Sequence, residues 1–272
     1  MFTDSHCHLT FPELASQLPA IRAAMTAAQV TRALCICTTI EEFAEVHALA
    51  LAYDNFWCTV GVHPDNEGVY EPSQQDLQQR ATLPRVLAIG ETGLDYYGMQ
   101  DRKGGRSIAD LEWQRARFRT HIRAARACGK PLVVHTRSAA DDTLAILREE
   151  GEGNPSQSTG PGAGGVFHCF TESLQVARAV LDMGYYLSFS GIVTFKNAQD
   201  LRDVVAYVPL ESMLIETDSP YLAPAPHRGK TNTPAYVPLV AQTIAQVKGL
   251  AIEAVAEATG RNFDTLFRPG AA

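Results

Sequence analysis

The chain has 272 residues, a formal net charge of −7, 46% hydrophobic and 19% charged residues. That balance excludes a disordered chain, and the length is long for one ordinary domain but normal for a single (β/α)8 barrel. An acidic chain is no general binder of nucleic acid, so phosphate contacts would need local Lys and Arg; carboxylates gathered around cations also count as negative in the sum.

In chain order, the first strand-like run is FTDSH (2–6), followed by a helical pattern at 11–29. RALCICTT (32–39) leads into a helix at 40–53, and FWCTVGVH (56–63) and RVLAIGE (85–91) are the third and fourth runs. No helix is assigned between these two. A long loop, DYYGMQDRKGGRSIAD (95–110), carries Arg102, Lys103 and Arg106. The next helix (108–129) sets Leu111, Phe118, Ile122 and Ala125 near one face and has Gly129 as its C-cap. KPLVVHT (130–136), GGVFHCF (164–170), YYLSFSG (185–191) and SMLIETD (212–218) complete the strands, with helices at 138–150, 173–184, 198–208, 234–249 and 251–267. Residues 151–165, rich in Gly, Pro and Ser, are expected to be a flexible insertion.

The runs are mostly continuous rather than alternating, as parallel strands covered on both faces should be. Eight of them alternating with helices predict a TIM barrel over residues 1–272, and the absence of GxGxxG after the first run weighs against a dinucleotide fold. The six cysteines lie mostly in apolar runs and form no CxxC pair, as expected of buried thiols in a reducing compartment. No signal-peptide pattern and no bilayer-length apolar run occurs, so a cytoplasmic protein without membrane association or obligate protein partner is expected.

In such a barrel the chemistry sits at the C-terminal ends of the strands. His6 and His8 end the first run, His63 the third, Glu91 the fourth, His135 the fifth and Asp218 the eighth, with His168 near the end of the sixth. Five of the eight histidines thus fall at strand ends; His47 and His121 fall in helices and His227 in a loop. Residues i and i+2 of a strand point the same way, so His6 and His8 can reach one ion while Cys7 points away. Glu91 leaves an apolar strand without an evident Arg partner, and Asp218 has the same need; cations answer it. Four His, one Glu and one Asp are too many donors for one open catalytic ion. Two divalent ions are expected, one near His6, His8 and Asp218, the other near His135 and His168, with Glu91 between. The N/O set suits Zn, Mn, Fe, Co or Ni better than Mg. Asp4 is expected to hydrogen-bond within the barrel mouth, Asp95 to orient a neighbour or a turn, and Glu216 to be an orienting, substrate or structural acid.

The blocks DSHCHL, GVHPD, AIGETGLDYY, LVVHTRSA, HCFTES, IETDSPYLAP, PHRGKTNTPAYV and NFDTLF, in that order, resemble the TatD family of metal-dependent deoxyribonucleases along essentially the whole chain. The resemblance implies an amidohydrolase-like TIM barrel, divalent metal (Mg included) at His6, His8, Glu91, His135, His168 and Asp218, and hydrolysis of DNA phosphodiesters from 3′ ends. Residues 151–165 depart from the family pattern. The expected reaction is attack on phosphorus by a metal-bridging hydroxide, with Asp218 and Glu91 catalytic. His63, Arg137, Lys196 and Arg228 are the candidate substrate contacts, followed by Lys230. Tyr96, Tyr97 and Tyr221 are candidates for stacking or for packing under loops. The competing readings are an amide, lactone or aminoacyl-ester hydrolase on the same barrel, and an inactive scaffold. Glu91, where two-metal amidohydrolases often carry a carboxylated Lys, favours the nuclease.

Overall fold

A computed structural model describes residues 1–99, 101, 104–153 and 162–271. The elements run β1 (Phe2–Cys7), α1 (Pro12–Ala15), α2 (Leu18–Ala27), β2 (Val30–Cys35), α3 (Phe43–Ala52), β3 (Phe56–Val60), α4 (Gln74–Ala81), β4 (Val86–Asp95), α5 (Glu112–Cys128) and β5 (Leu132–Arg137). They continue with α6 (Ala140–Glu149), β6 (Gly165–Phe167), α7 (Leu174–Asp182), β7 (Tyr186–Phe189), α8 (Gln199–Tyr207), β8 (Met213–Ile215), α9 (Val237–Lys248) and α10 (Ile252–Phe267). The strands pair in sequence order as one parallel eight-stranded sheet, the expected (β/α)8 barrel.

The expected first helix is two helices. Pro19 falls in the first turn of α2, where its missing N–H costs nothing; inside one continuous helix it would have broken the ladder. Helix α4 has no counterpart in the elements read from sequence. Its sequence, QQDLQQRA, buries only Leu77 and Ala81, so its apolar stripe is too thin to read. The Ser73–Asp76 capping box starts it instead. Glu91 does not end the fourth strand: β4 runs on to Asp95, and the pairing with β5 shifts register between Ile89 and Thr92.

Inside the barrel, Leu34, Leu87, Val133, Val166 and Leu214 form one apolar cluster with Phe263 and Phe267 of α10. Val133, Val166 and Leu214 precede His135, His168 and Glu216 by two residues and share their face. The barrel interior is therefore hydrocarbon at the α10 end and polar at the opposite mouth.

β1 and β8 meet differently from the other neighbours, through a single bridge between Cys7 and Ser219. Side chains close this seam. Asp4 accepts from the Thr217 N–H (3.0 Å), the Thr217 hydroxyl (2.5 Å) and the His6 N–H (3.2 Å), and Ser5 Oγ donates to the Ile215 carbonyl at 3.0 Å. Asp4 thus has the hydrogen-bonding place expected of it.

Of residues 151–165, 154–161 lie outside the described residues, as do Arg102 and Lys103. Both described flanks meet one side chain. Buried Glu152 accepts from Ala163 N (3.0 Å), Gly164 N (3.1 Å) and the Tyr185 hydroxyl (2.8 Å). Among the described residues no single helix is long and apolar enough to cross a membrane.

Candidate metal centre

The mouth gathers the polar ends of β1, β4, β5, β6 and the loop after β8. His8 N–H donates to the Ser219 carbonyl (2.8 Å) and Asp218 N–H to the His6 carbonyl (3.0 Å), so the two seam loops are zipped together. Asp218 adopts φ 56°, a left-handed conformation that Asp tolerates better than most residues. The result aims its carboxylate at both histidines.

In one half, His6 Nε2 and His8 Nε2 are 3.3 Å apart. Asp218 Oδ1 lies 3.6 and 3.4 Å from them, and Glu91 Oε2 lies 3.3 and 3.9 Å. In the other half, Glu91 Oε1 lies 2.7 Å from His168 Nε2, 3.1 Å from His135 Nδ1 and 3.4 Å from His63 Nε2. Glu91 therefore offers a different oxygen to each half. The His6 and His168 rings stack across the divide, with centroids 3.9 Å apart.

Glu91 is 2% exposed and His6 fully buried. Burial opposes charge on Glu91, but His168, His63 and His6 outweigh it and hold the carboxyl well below its ordinary range. Asp218 is likewise lowered, against burial, by its hydrogen bond to His8 and by the nearby imidazoles. His168 is raised well above the usual histidine value: burial pulls it down, and Glu91 and Glu216 more than reverse that. Burial, with His168 beside it, lowers His6.

These donors fit divalent metal. The imidazole nitrogens converge at 3.3 Å, which is about the separation of two ligands each ~2 Å from one ion. Three clusters of donors are close enough to hold an ion: His6, His8 and Asp218; His63, Glu91 and His135; and His6, His168 and Glu216. The third differs in kind. Glu216 Oε1 lies 3.4 Å from His168 Nδ1, the nitrogen turned away from Glu91, and accepts from Cys169 N–H at 2.6 Å. Glu216 is thus placed to orient His168. Asp95 does the same for His135, with Oδ2 3.2 Å from Nε2 while Nδ1 faces Glu91.

His63, expected as a substrate contact, stands among the donors. Its Nδ1 accepts from the Asp65 N–H at 3.0 Å. Burial pushes its pKa down to about 3, so the ring is neutral and carries its one proton on Nε2. Nε2, 3.3 Å from His135 Nδ1, is therefore an N–H donor. Arg137, Lys196 and Arg228 are not brought into the cluster. They are exposed around it, Arg137 at the end of β5 over the Tyr97 ring (3.7 Å), Lys196 on the loop after β7, and Arg228 on the loop after β8 over the Phe195 ring (3.5 Å). Tyr96 packs under its loop, its hydroxyl donating to Asp142 (2.8 Å).

Three residues of α5 support the site without having been expected to, His121 having been read only as a helical histidine. Gln114 pairs with both backbone groups of Asp95 (3.0 and 3.2 Å). Arg117 donates to the His63 carbonyl (2.8 Å) and grips Glu71 with two nitrogens. His121 Nε2 accepts from Val62 N–H (3.1 Å). All three are buried, and they interrupt the apolar stripe of Leu111, Phe118, Ile122 and Ala125. Polar residues inside an apolar stripe were the available signal.

The sequence model of the TatD related DNase family matches residues 3–268. The chain belongs to the TatD family. The uncharacterized metal-dependent hydrolase YcfH of Escherichia coli is 44% identical over 268 residues, covering 97% of this TatD-family chain and 94% of that protein. The 3′-5′ ssDNA/RNA exonuclease TatD of Salmonella typhimurium is 32% identical over 270 residues, covering 97% of this chain and 98% of its own. The crystal structure of the E. coli TatD homologue YjjV superposes with a TM-score of 0.86 at 29% identity over 98% of both chains. An engineered organophosphate-hydrolysing variant of a weak lactonase, at 15% identity and TM-score 0.61 over 98% of this chain and 95% of its own, shares the barrel alone. As a TatD-family protein the chain is a metal-dependent hydrolase, and the His, Glu and Asp clusters at its mouth are the candidate sites for divalent ions.

Proposed function

We propose that this hydrolase cleaves phosphodiester bonds at the 3′ end of single-stranded nucleic acid, DNA foremost, releasing nucleotides in the 3′-5′ direction. The observation that carries this is Glu91, whose two oxygens face separate donor clusters 2.7 to 3.9 Å away. In this reading His6, His8, Asp218 and Glu91 would hold one ion, and His135, His168 and Glu91 would hold another. Two divalent ions bound there would supply Lewis acidity toward the phosphoryl oxygens and acidify water.

The protein groups do the rest. Asp218, with its side chain 15% exposed, is open enough to accept the proton of the attacking water. Water oxygen bonds to phosphorus, the P–O3′ bond breaks, and the departing O3′ takes a proton from solvent while Asp218 returns its own to water. His63 Nε2–H donates to the phosphoryl oxygen as its charge grows. Arg137, Arg228 and Lys196 receive the flanking phosphates, which gives an acidic protein a local basic edge. The Salmonella relative, named a 3′-5′ ssDNA/RNA exonuclease, supports direction and substrate.

The test is metal-reconstituted protein, with Mg, Mn, Co, Ni or Zn, against end-labelled single-stranded DNA and RNA, with chelator controls. Amide, lactone and aminoacyl-ester substrates run alongside. Stepwise shortening from the 3′ end that chelator abolishes is expected. Intact oligonucleotides with turnover of an amide or ester would replace this reading with the amidohydrolase one.

A further inference from the structure

The rim of the mouth is not uniform. Beside β5 and β7 its aromatic rings are covered by cations, Arg137 on Tyr97 and Arg228 on Phe195. Beside the seam the rings meet each other. Phe11, three residues after His8, lies face to face on the His8 imidazole (4.6 Å, 22°). Tyr221, three residues after Asp218, meets Phe11 edge-on at 6.2 Å. Among the described residues no cation lies over Tyr221 and its hydroxyl has no partner.

Tyr221 is 51% exposed, yet its backbone is firmly held. Its N–H donates to the Asp218 carbonyl (3.0 Å). The fully buried Asn232 donates through Nδ2 to the carbonyls of Tyr221 (2.6 Å) and Thr217 (2.8 Å), and through its N–H to Pro220 (3.0 Å). A loose loop would fold a large apolar ring onto the protein to remove it from water. Here hydrogen bonds fix the backbone that carries the ring, and the ring stands half exposed against Phe11, beside the Asp218–His8 half of the centre. A tyrosine so fixed offers a wide flat contact at little cost in conformational freedom.

We propose that Tyr221, with Phe11 beside it, is the stacking face for the unpaired base of the terminal nucleotide whose phosphate enters the centre. This rests on the phosphodiesterase reading above. It gives the mouth a sidedness: the terminal base goes to the seam side, and the phosphates of the continuing strand pass the cation-capped rings opposite. Any base has a π face, so the subsite accepts all four; a paired end must fray first.

The experiment compares two single-stranded DNA oligonucleotides of one sequence, one ending in adenine and one in an abasic tetrahydrofuran nucleotide. They are offered to the metal-reconstituted wild type, Tyr221→Phe and Tyr221→Leu. The readout is the ratio of kcat/KM for the two ends. Stacking predicts a ratio on the order of tenfold in the wild type and in Tyr221→Phe, falling toward one in Tyr221→Leu. The wild-type ratio stands alone if the leucine variant fails to fold. Cleavage of both strands with a wild-type ratio near one, or a ratio that survives in a folded Tyr221→Leu, would overturn the stacking face and leave the phosphodiesterase standing. No shortening of either strand with any metal would overturn that reading and the stacking face with it.

Discussion

At the scale of single residues, hydrogen-bond direction separates two histidines that composition cannot. His135 turns Nδ1 to Glu91 while Asp95 takes its other nitrogen. His63 spends its lone pair on the Asp65 N–H and points a proton inward. His63→Ala should therefore leave metal content unchanged and lower kcat about 100-fold, the usual effect of removing one transition-state donor. Metal analysis of the purified variant beside its kinetics checks this; lost metal would make His63 a ligand instead. Glu91→Ala should behave oppositely, with metal content falling and turnover collapsing; full occupancy would refute its place between two ions. The positions of these histidines were legible because imidazoles at strand ends of an apolar barrel have little else to do. Their tautomers were not, since they depend on a backbone N–H two residues away and on a strand distant in sequence.

At the scale of elements, α5 acts as a rack for the ends of β3 and β4. Gln114 fixes Asp95, Arg117 fixes His63 and His121 fixes Val62, so one helix sets both the donor and the group that orients His135. Arg117→Met keeps the aliphatic bulk but leaves the His63 carbonyl with only the Asn66 N–H (3.2 Å) and releases Glu71, for an expected loss of about 2 kcal/mol, the usual worth of a hydrogen bond from a charged donor. The His63→Ala penalty should shrink in that background, as a double-mutant cycle on kcat would show. His121 adds a pH dependence. Burial pushes its pKa from 6.5 down to about 4. Because the folded value lies below the unfolded one, protons favour the unfolded chain. Its contribution is full above pH 6.5 and is lost as pH falls toward 4. Between pH 7.5 and 4.5 the wild type should lose about 2 kcal/mol more stability than His121→Gln in urea unfolding. The apolar face of α5 was plain in the sequence, as was Gly129, which caps it with φ 64°. Helix α4 was not, because capping rather than amphipathicity defines it.

For the whole molecule, strand order and barrel class followed from eight apolar runs, since a parallel sheet covered by helices admits little else. The seam did not, because it depends on Asp4 and Thr217 meeting across 213 residues of chain. The donors come from the ends of β1, β4, β5 and β6 and from the loop after β8, so ions held there would tie the barrel across its mouth. Saturating metal should raise the melting temperature by roughly 5–10 °C over chelated protein. Glu91→Gln should lose most of that rise; an unchanged shift would place the ions elsewhere.

The seam also orders events in time. His6 and His8, at the end of β1, are synthesised long before their partner Asp218, which arrives only after the eighth strand has been made. No truncated product ending before that point can assemble the first half of the centre, however well its early strands pair. A polypeptide abandoned midway thus carries the His6–His8 pair without the carboxylate that completes it, and should bind metal there poorly.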